Sequence, residues 1–268
     1  FEKSFHFGLD LAASYTFGHS KSVYDGTSSV AYSNWKYNYA VDSNNPGLAY
    51  SMFDIPHRVM VSVGYRTPRY AKGFMATTVS LVYNGYVGQR YSLTMNESYY
   101  DAEKKKTVYI DYNGDGWGGN SLLYIPTEDE LQKMDFKTEE DRRKFDEWIE
   151  GDSYAKKHRG AYAMRNSNSA PWENRVDLHV AQDIFVLKDR GSKFQVTFDV
   201  TNFANMLNKK WGTTYTAAYN VMPLQVIGSK KGEDGNYTNT YAYNSRNTIT
   251  KNDVLSRWHA QIGIKYIF

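Results

Sequence analysis

Apolar and polar residues alternate singly along six stretches of this chain, which is the period of a strand and not of a helix. In residues 3–19, Phe5, Phe7, Leu9, Leu11, Ala13, Tyr15 and Phe17 share one face, and His6, Gly8, Asp10, Ala12, Ser14 and Thr16 the other. Residues 56–66 set Val59, Val61, Val63 and Tyr65 against Arg58, Ser62 and Gly64. In 73–89, Met75, Val79, Leu81, Tyr83 and Val87 oppose Ala76, Thr78, Ser80, Asn84 and Gly88, with Val82 and Tyr86 breaking the polar row. Residues 174–186 place Val176, Leu178, Val180, Ile184 and Val186 against Arg175, Asp177, His179 and Asp183, and Phe185 interrupts the polar row. In 194–205, Phe194, Val196, Phe198 and Val200 oppose Gln195, Thr197, Asp199 and Thr201. The closing stretch, 256–268, puts Trp258, Ala260, Ile262, Ile264, Tyr266 and Phe268 on one side and Arg257, His259, Gln261, Gly263 and Lys265 on the other. A last strand that ends on an aromatic, with a charge-free apolar row, suits an antiparallel transmembrane β-barrel whose apolar rows meet lipid and whose polar rows face an aqueous lumen.

The connections alternate in length. Those at 20–55, 92–172 and 206–253 are long, and those at 67–72 and 187–193 are short, with a tight turn expected at Lys188-Asp189-Arg190-Gly191. Outer-membrane barrels have short periplasmic turns and long extracellular loops. The three long loops are therefore expected outside and the C-terminus on the periplasmic side. The insertion 92–172 carries local signals of its own. Val108–Asp111 reads as a short strand, and Thr127 with Glu130 as a capping box after Pro126. Residues 138–150 read as a helix with Phe145, Trp148 and Ile149 on one stripe, and 152–160 as a further turn stopped by Gly160. In the last loop, 224–227 and 237–243 form an expected hairpin turned at 231–235. Six strands are too few to close a membrane barrel, for which eight is the smallest number. The expectation is the C-terminal part of a larger barrel, ahead of a segment that pairs with another chain.

Composition adds little against this reading. A mean hydropathy of −0.65 with 23% charged residues looks water-soluble, but alternating lipid and lumen residues give the same averages. No apolar run approaches the ~18 residues of a spanning helix. The 24 tyrosines suit interfacial girdles. Without cysteine the chain has no disulfide framework or thiolate metal site. A net charge of +3, unclustered, gives no footprint for nucleic acid.

Several segments together resemble the C-terminal portion of a TonB-dependent outer-membrane receptor of the Bacteroidetes kind, similar to Oar-like and SusC-like proteins. They are Asp54-Ile-Pro-His-Arg58; Asp111-Tyr-Asn-Gly-Asp-Gly116 followed by Leu122-Leu-Tyr-Ile-Pro126; Arg165-Asn166 through Pro171-Trp172; and Asn174-Arg-Val-Asp-Leu178 with Gln182-Asp183. Phe198-Asp-Val-Thr-Asn-Phe203 with Leu207-Asn208, Trp211-Gly212, and Ser256-Arg-Trp258 through Tyr266-Ile-Phe268 complete the set. The resemblance implies the last six strands of a 22-stranded barrel, with a plug and a TonB-contacting segment outside this sequence. It further implies outer-membrane lipid as surroundings and a surface lipoprotein as a potential partner.

Candidate chemistry is sparse. Asp111, Asn113 and Asp115, with the Trp117 carbonyl, have the spacing of the first half of a calcium loop, and Asn120 offers a further oxygen. Position twelve is Leu122 where an EF-hand has an acid, so the bland alternative is an Asn/Asp/Gly turn that needs no ion. Arg175, Asp177, His179 and Asp183 look catalytic in isolation. They read better as a lumen wall whose charges pair across strands, and His57 and His179 lack zinc spacing. No enzyme activity is expected. The loop aromatics Tyr32, Trp35, Tyr37, Tyr39, Tyr99, Tyr100 and Trp117 suit stacking on a sugar or gripping a peptide, or simple loop packing. The expected function is active uptake of a bulky nutrient, a glycan or peptide fragment, with no substrate residue identified. The alternatives are a non-transporting barrel that docks other surface proteins, and a soluble β-sandwich whose apolar rows face each other.

Overall fold

The computed structural model describes residues 1–187, 192–245 and 249–268; the turn expected at 188–191 lies outside them. The wall is one antiparallel meander of seven strands: β1 (Glu2–Ser4), β2 (Leu9–Phe17), β3 (His57–Arg66), β4 (Met75–Tyr86), β5 (Glu173–Leu187), β6 (Ser192–Thr201) and β7 (His259–Ile267). The sheet is open, with β1 and β7 as its edges.

Register carries the assignment of faces. One row runs Leu11, Val63, Leu81, Leu178, Val200, Ala260, each opposite the next. The adjacent row runs Asp10, Gly64, Ser80, His179, Asp199, Gln261. Successive side chains of a strand leave opposite sides of a sheet, so these rows lie on different faces. The apolar face is not packed against another sheet. Ile262 and Ile264 are 70% and 74% exposed, and Tyr15, Leu81, Phe198 and Tyr266 are also open. The β-sandwich alternative required these rows to cover one another, and they do not.

The buried hydrophobic core lies elsewhere, in the long connections. Leu93, Leu123, Ile125, Leu131, Phe145 and Ile149 are the most enclosed members of its packed cluster, to which no wall strand contributes, although Ala76, Ala181, Phe185 and Val200 are buried on the wall itself. Each such side chain, fully buried, stabilises the lobe by roughly 1.5–3 kcal/mol. Strand Asn220–Lys231 pairs antiparallel with Tyr237–Tyr243 and parallel with Arg90–Asn96, which Asn168–Ser169 flanks. Helix α1 (Glu128–Lys133) opens on the Thr127/Glu130 capping box. Helix α2 (Glu139–Gly151) is capped by Thr138 and buries Phe145 and Ile149, with Trp148 packed beside them. The first long connection joins through Ala40, whose N–H donates to the Asn120 carbonyl and whose carbonyl accepts from Leu122 N–H. All three long connections thus build one lobe at one end of the wall. The connection at 67–72 and Phe268 lie at the other end.

Several expectations are corrected. Residues 3–19 are not one strand: Glu2–Ser4 folds back on Leu9–Phe17, so Phe5 and Phe7 sit in the turn between them. Gly8 makes this turn possible. It has φ +94°, and a Cβ there would lie 2.2 Å from the Arg66 carbonyl oxygen. The apolar alternation runs through the turn because aromatics persist past the strand end. The stretch 194–205 stops at Thr201, where Asn202 turns left-handed at φ 56° and opens the helical turn Phe203–Leu207. The closing strand starts at His259, after the Asn252-capped turn Asp253–Ser256. The 108–111 segment is strand Lys106–Tyr109, paired with Ser98–Asp101. Among the described residues no helix is long and apolar enough to cross a membrane.

Candidate binding site in the long connections

Two buried arginines tie the first long connection to the second. Asp54, just before β3, is 2% exposed. Its Oδ2 accepts from Arg90 Nη2 at 2.7 Å and Nε at 3.0 Å, and its Oδ1 accepts from Ser20 N–H at 2.6 Å. Burial alone would raise the Asp54 pKa, but the bonds from Ser20, Arg90 and His19 hold it below the usual carboxylate value. The Arg90 guanidinium also lies 4.1 Å from the Tyr50 ring centre and donates to the carbonyls of Asn166 and Ser167. Arg165, 4% exposed, donates to Asn38 Oδ1 at 3.0 Å, to Asp25 Oδ2 at 3.3 Å and to the Ser22 carbonyl. Burial lowers its pKa against the opposing pull of Asp25.

Beside Arg165 is a cavity of about 240 Å³ lined by Tyr24, Asp25, Asn38, Tyr39 and Tyr219. Burial, with Tyr219 nearby, pushes the Tyr39 phenol up to about 12. Aromatic rings continue outward. Tyr32 stacks on Trp35 at 5.9 Å, Tyr37 meets Trp117 edge-on at 5.4 Å, and the Lys36 ammonium is 5.2 Å from the Trp117 ring. Flat rings beside a fixed guanidinium, carboxylate and amide form a surface that can stack on a ring and hydrogen-bond its substituents. Of the aromatics expected to bind, Tyr32, Trp35, Tyr37, Tyr39 and Trp117 gather here. Tyr99 and Tyr100 sit apart on the Ser98–Asp101 hairpin. Asp25, Asn38 and Arg165 were not singled out from sequence as binding residues; the Arg165-Asn166 pair in a polar loop was the available signal. A second cavity of about 350 Å³ is more apolar, lined by Met95, Tyr112, Tyr124, Tyr162, Leu224 and Tyr241.

The side-chain oxygens of Asp111, Asn113 and Asp115, proposed for calcium, accept hydrogen bonds from within the loop. Asp111 accepts from the N–H groups of Asp115 at 3.1 Å and Gly116 at 2.8 Å. Asp115 Oδ1 accepts from Trp117 N–H at 2.6 Å, and its Oδ2 from the amides of Asn113 at 3.0 Å and Asn120 at 3.3 Å. These are the bonds of an Asn/Asp turn. No group of three or more His, Asp or Glu side chains gathers at metal distance among the described residues. A cation here would therefore draw on amide and carbonyl oxygens. Glu97, fully buried, ties this loop down by accepting from Gly119 N–H at 2.6 Å and Tyr112 N–H at 3.4 Å. Burial raises its pKa.

On the polar face of the wall, charges pair along and across the strands. Arg175 bonds Asp177 at 3.0 Å, and His179 bonds Asp199 directly across β5 and β6. Asp183 accepts from Arg66, Lys193 and Gln195, each at 2.7 Å. Phe185, which breaks the polar row, is buried beneath the Arg69 guanidinium at 3.9 Å. Tyr86 donates to Glu173 at 2.9 Å. His57 bonds Tyr15 on the apolar side and does not meet His179.

The family model described as "Outer membrane beta barrel domain" matches residues 1–248. No curated protein and no solved structure gives a match.

Proposed function

We propose, for a chain that belongs to the outer membrane beta barrel domain family, that it is part of a TonB-dependent receptor taking up a bulky glycan or peptide fragment. Family membership places the chain in the outer membrane. The rest is our reading, and one observation carries it: a wall with one apolar and one polar face ends in a folded lobe that holds a tyrosine-rich cavity. A pore wall needs only short loops, whereas a lobe with its own core positions side chains for a ligand. In this reading further strands and a plug close the barrel to 22 strands, long loops are extracellular and Phe268 is periplasmic. Energy coupling through TonB belongs to the plug. The role is one of recognition and passage, with no catalytic step. In this reading the receptor is of the Oar-like and SusC-like kind, which the resemblance of the segments between Asp54 and Phe268 supports.

The test is binding by the detergent-solubilised receptor to panels of oligosaccharides and of peptides, alongside growth of a deletion strain on each. One class should bind and support growth only in the parent strain, and Arg165→Ala should weaken that binding. Normal growth on every source, with no binding, would contradict uptake. The self-contained core of the lobe favours one other reading, a docking subunit for surface proteins. Capture of a surface lipoprotein with no ligand binding is its signature. An epitope inserted in the 232–236 turn should be stained on intact cells; staining only after permeabilisation would reverse the orientation.

A further inference from the structure

The segment after β6 folds back over the apolar side of the wall and makes a pocket there. Its floor is the outward row at the lobe end of β4 and β5: Gly85, Asn174 and Val176. Gly85 has no side chain, so the Tyr83 hydroxyl and the edge of the Trp172 ring close in over it; a Cβ there would come within 2.2 Å of the Tyr83 hydroxyl and 3.0 Å of the Trp172 ring. Lys210, Trp211 and Thr213 form the far side of this cavity of about 350 Å³.

Three features set its chemistry. The floor continues into the lipid-facing row through Val176, so an acyl chain lying on Leu178 and Val180 leads straight to it. Trp172 and Trp211 stand at the rim level, where tryptophan sits among headgroups. On the closing strand Trp258 stands at the lobe end and Tyr266 toward the other, eight positions apart. At roughly 3.3 Å per residue that spans about 26 Å along a tilted strand, close to the apolar band of such barrels. Finally, the pocket offers donors and no acid. The Lys210 ammonium and the Asn174 amide donate to no acceptor among the described residues, and no carboxylate lines the cavity. Asn174 Oδ1 is already occupied by Tyr83 at 2.7 Å and Trp172 at 3.0 Å.

We propose that the pocket bounded by Trp172, Asn174, Lys210 and Trp211 seats the phosphorylated headgroup of a lipid whose acyl chains lie on the apolar face of β4 and β5. The phosphate takes the Lys210 ammonium and the Asn174 amide, and the indole rings pack on the headgroup's apolar edges. This rests on the apolar face meeting lipid and not on the uptake reading.

The receptor purified in mild detergent is titrated with a bis-phosphorylated glycolipid, with the same lipid after phosphate removal, and with inorganic phosphate, following tryptophan fluorescence. The phosphorylated lipid should bind, the dephosphorylated lipid should bind at least about fivefold more weakly, and Lys210→Gln should lose a similar factor, the worth of one lysine near an anionic surface. Inorganic phosphate should neither bind nor compete at matched concentration. Lys210 is exposed, so its variant should keep the heat-modifiable fold of the parent, which gel mobility checks. Equal binding of both lipids, an unaffected Lys210→Gln variant, or full competition by inorganic phosphate would each overturn the assignment. Absence of ligand uptake would leave it standing.

Discussion

Truncating Arg90 would leave the Asp54 carboxylate buried without its guanidinium. Removing one partner of such a pair costs about 3–5 kcal/mol, so Arg90→Ala should open the lobe to protease on intact cells while the wall stays heat-modifiable. The two buried carboxylates should respond to pH in opposite senses. Asp54 is held below its reference value of 3.8. Its stabilisation is present above the unfolded value and is lost as pH falls through the lower folded value. Glu97 is raised above 4.5 by burial. Its contribution is full below the unfolded value and declines as pH rises through the folded one. Hydrogen exchange in the lobe, corrected for intrinsic rates, should therefore be slowest at mildly acid pH. Asp54→Asn should flatten the acid limb, and Glu97→Gln the limb toward neutrality. Neither role was legible from sequence, because Asp54 and Glu97 look like ordinary loop acids until Arg90 and Gly119 are brought to them from distant positions.

At the level of elements, what alternation and caps encode locally was readable, and what two distant segments make together was not. The face assignments of β3 to β7 follow from period two alone, and the register aligns the paired residues into the same two rows. The Thr127/Glu130 box and the α2 stripe were equally local. The parallel pairing of Arg90–Asn96 with Asn220–Lys231 joins segments more than a hundred residues apart, and neither segment signals the other. The Phe5–Gly8 turn hid for a different reason, since its aromatics kept the strand's rhythm. The face assignment predicts an asymmetry between neighbours. Ile262→Arg should impair membrane assembly, at about 2–4 kcal/mol near mid-bilayer, whereas Gln261→Arg should be tolerated. The yield of heat-modifiable protein measures both; equal damage would mean that the two residues share an environment.

Across the whole molecule, hydrophobic residues are divided between two solvents. Those of the lobe are buried against each other, as in a water-soluble domain. Those of the wall are spread over a face that is largely open, covered only at the lobe end of β4 to β6, in a chain whose family is an outer-membrane barrel domain. Low mean hydropathy and an exposed apolar sheet are thus compatible in one chain. The absence of cysteine makes this division directly measurable. Single cysteines at successive positions from Leu178 to Ala181 and from Ala260 to Gly263, labelled with a fluorophore in reconstituted bilayers, can be quenched by nitroxide lipids or by aqueous iodide. Leu178, Val180, Ala260 and Ile262 should be quenched from the lipid, and His179, Ala181, Gln261 and Gly263 from water, in strict alternation. Uniform quenching along either strand, or the opposite phase, would contradict the account.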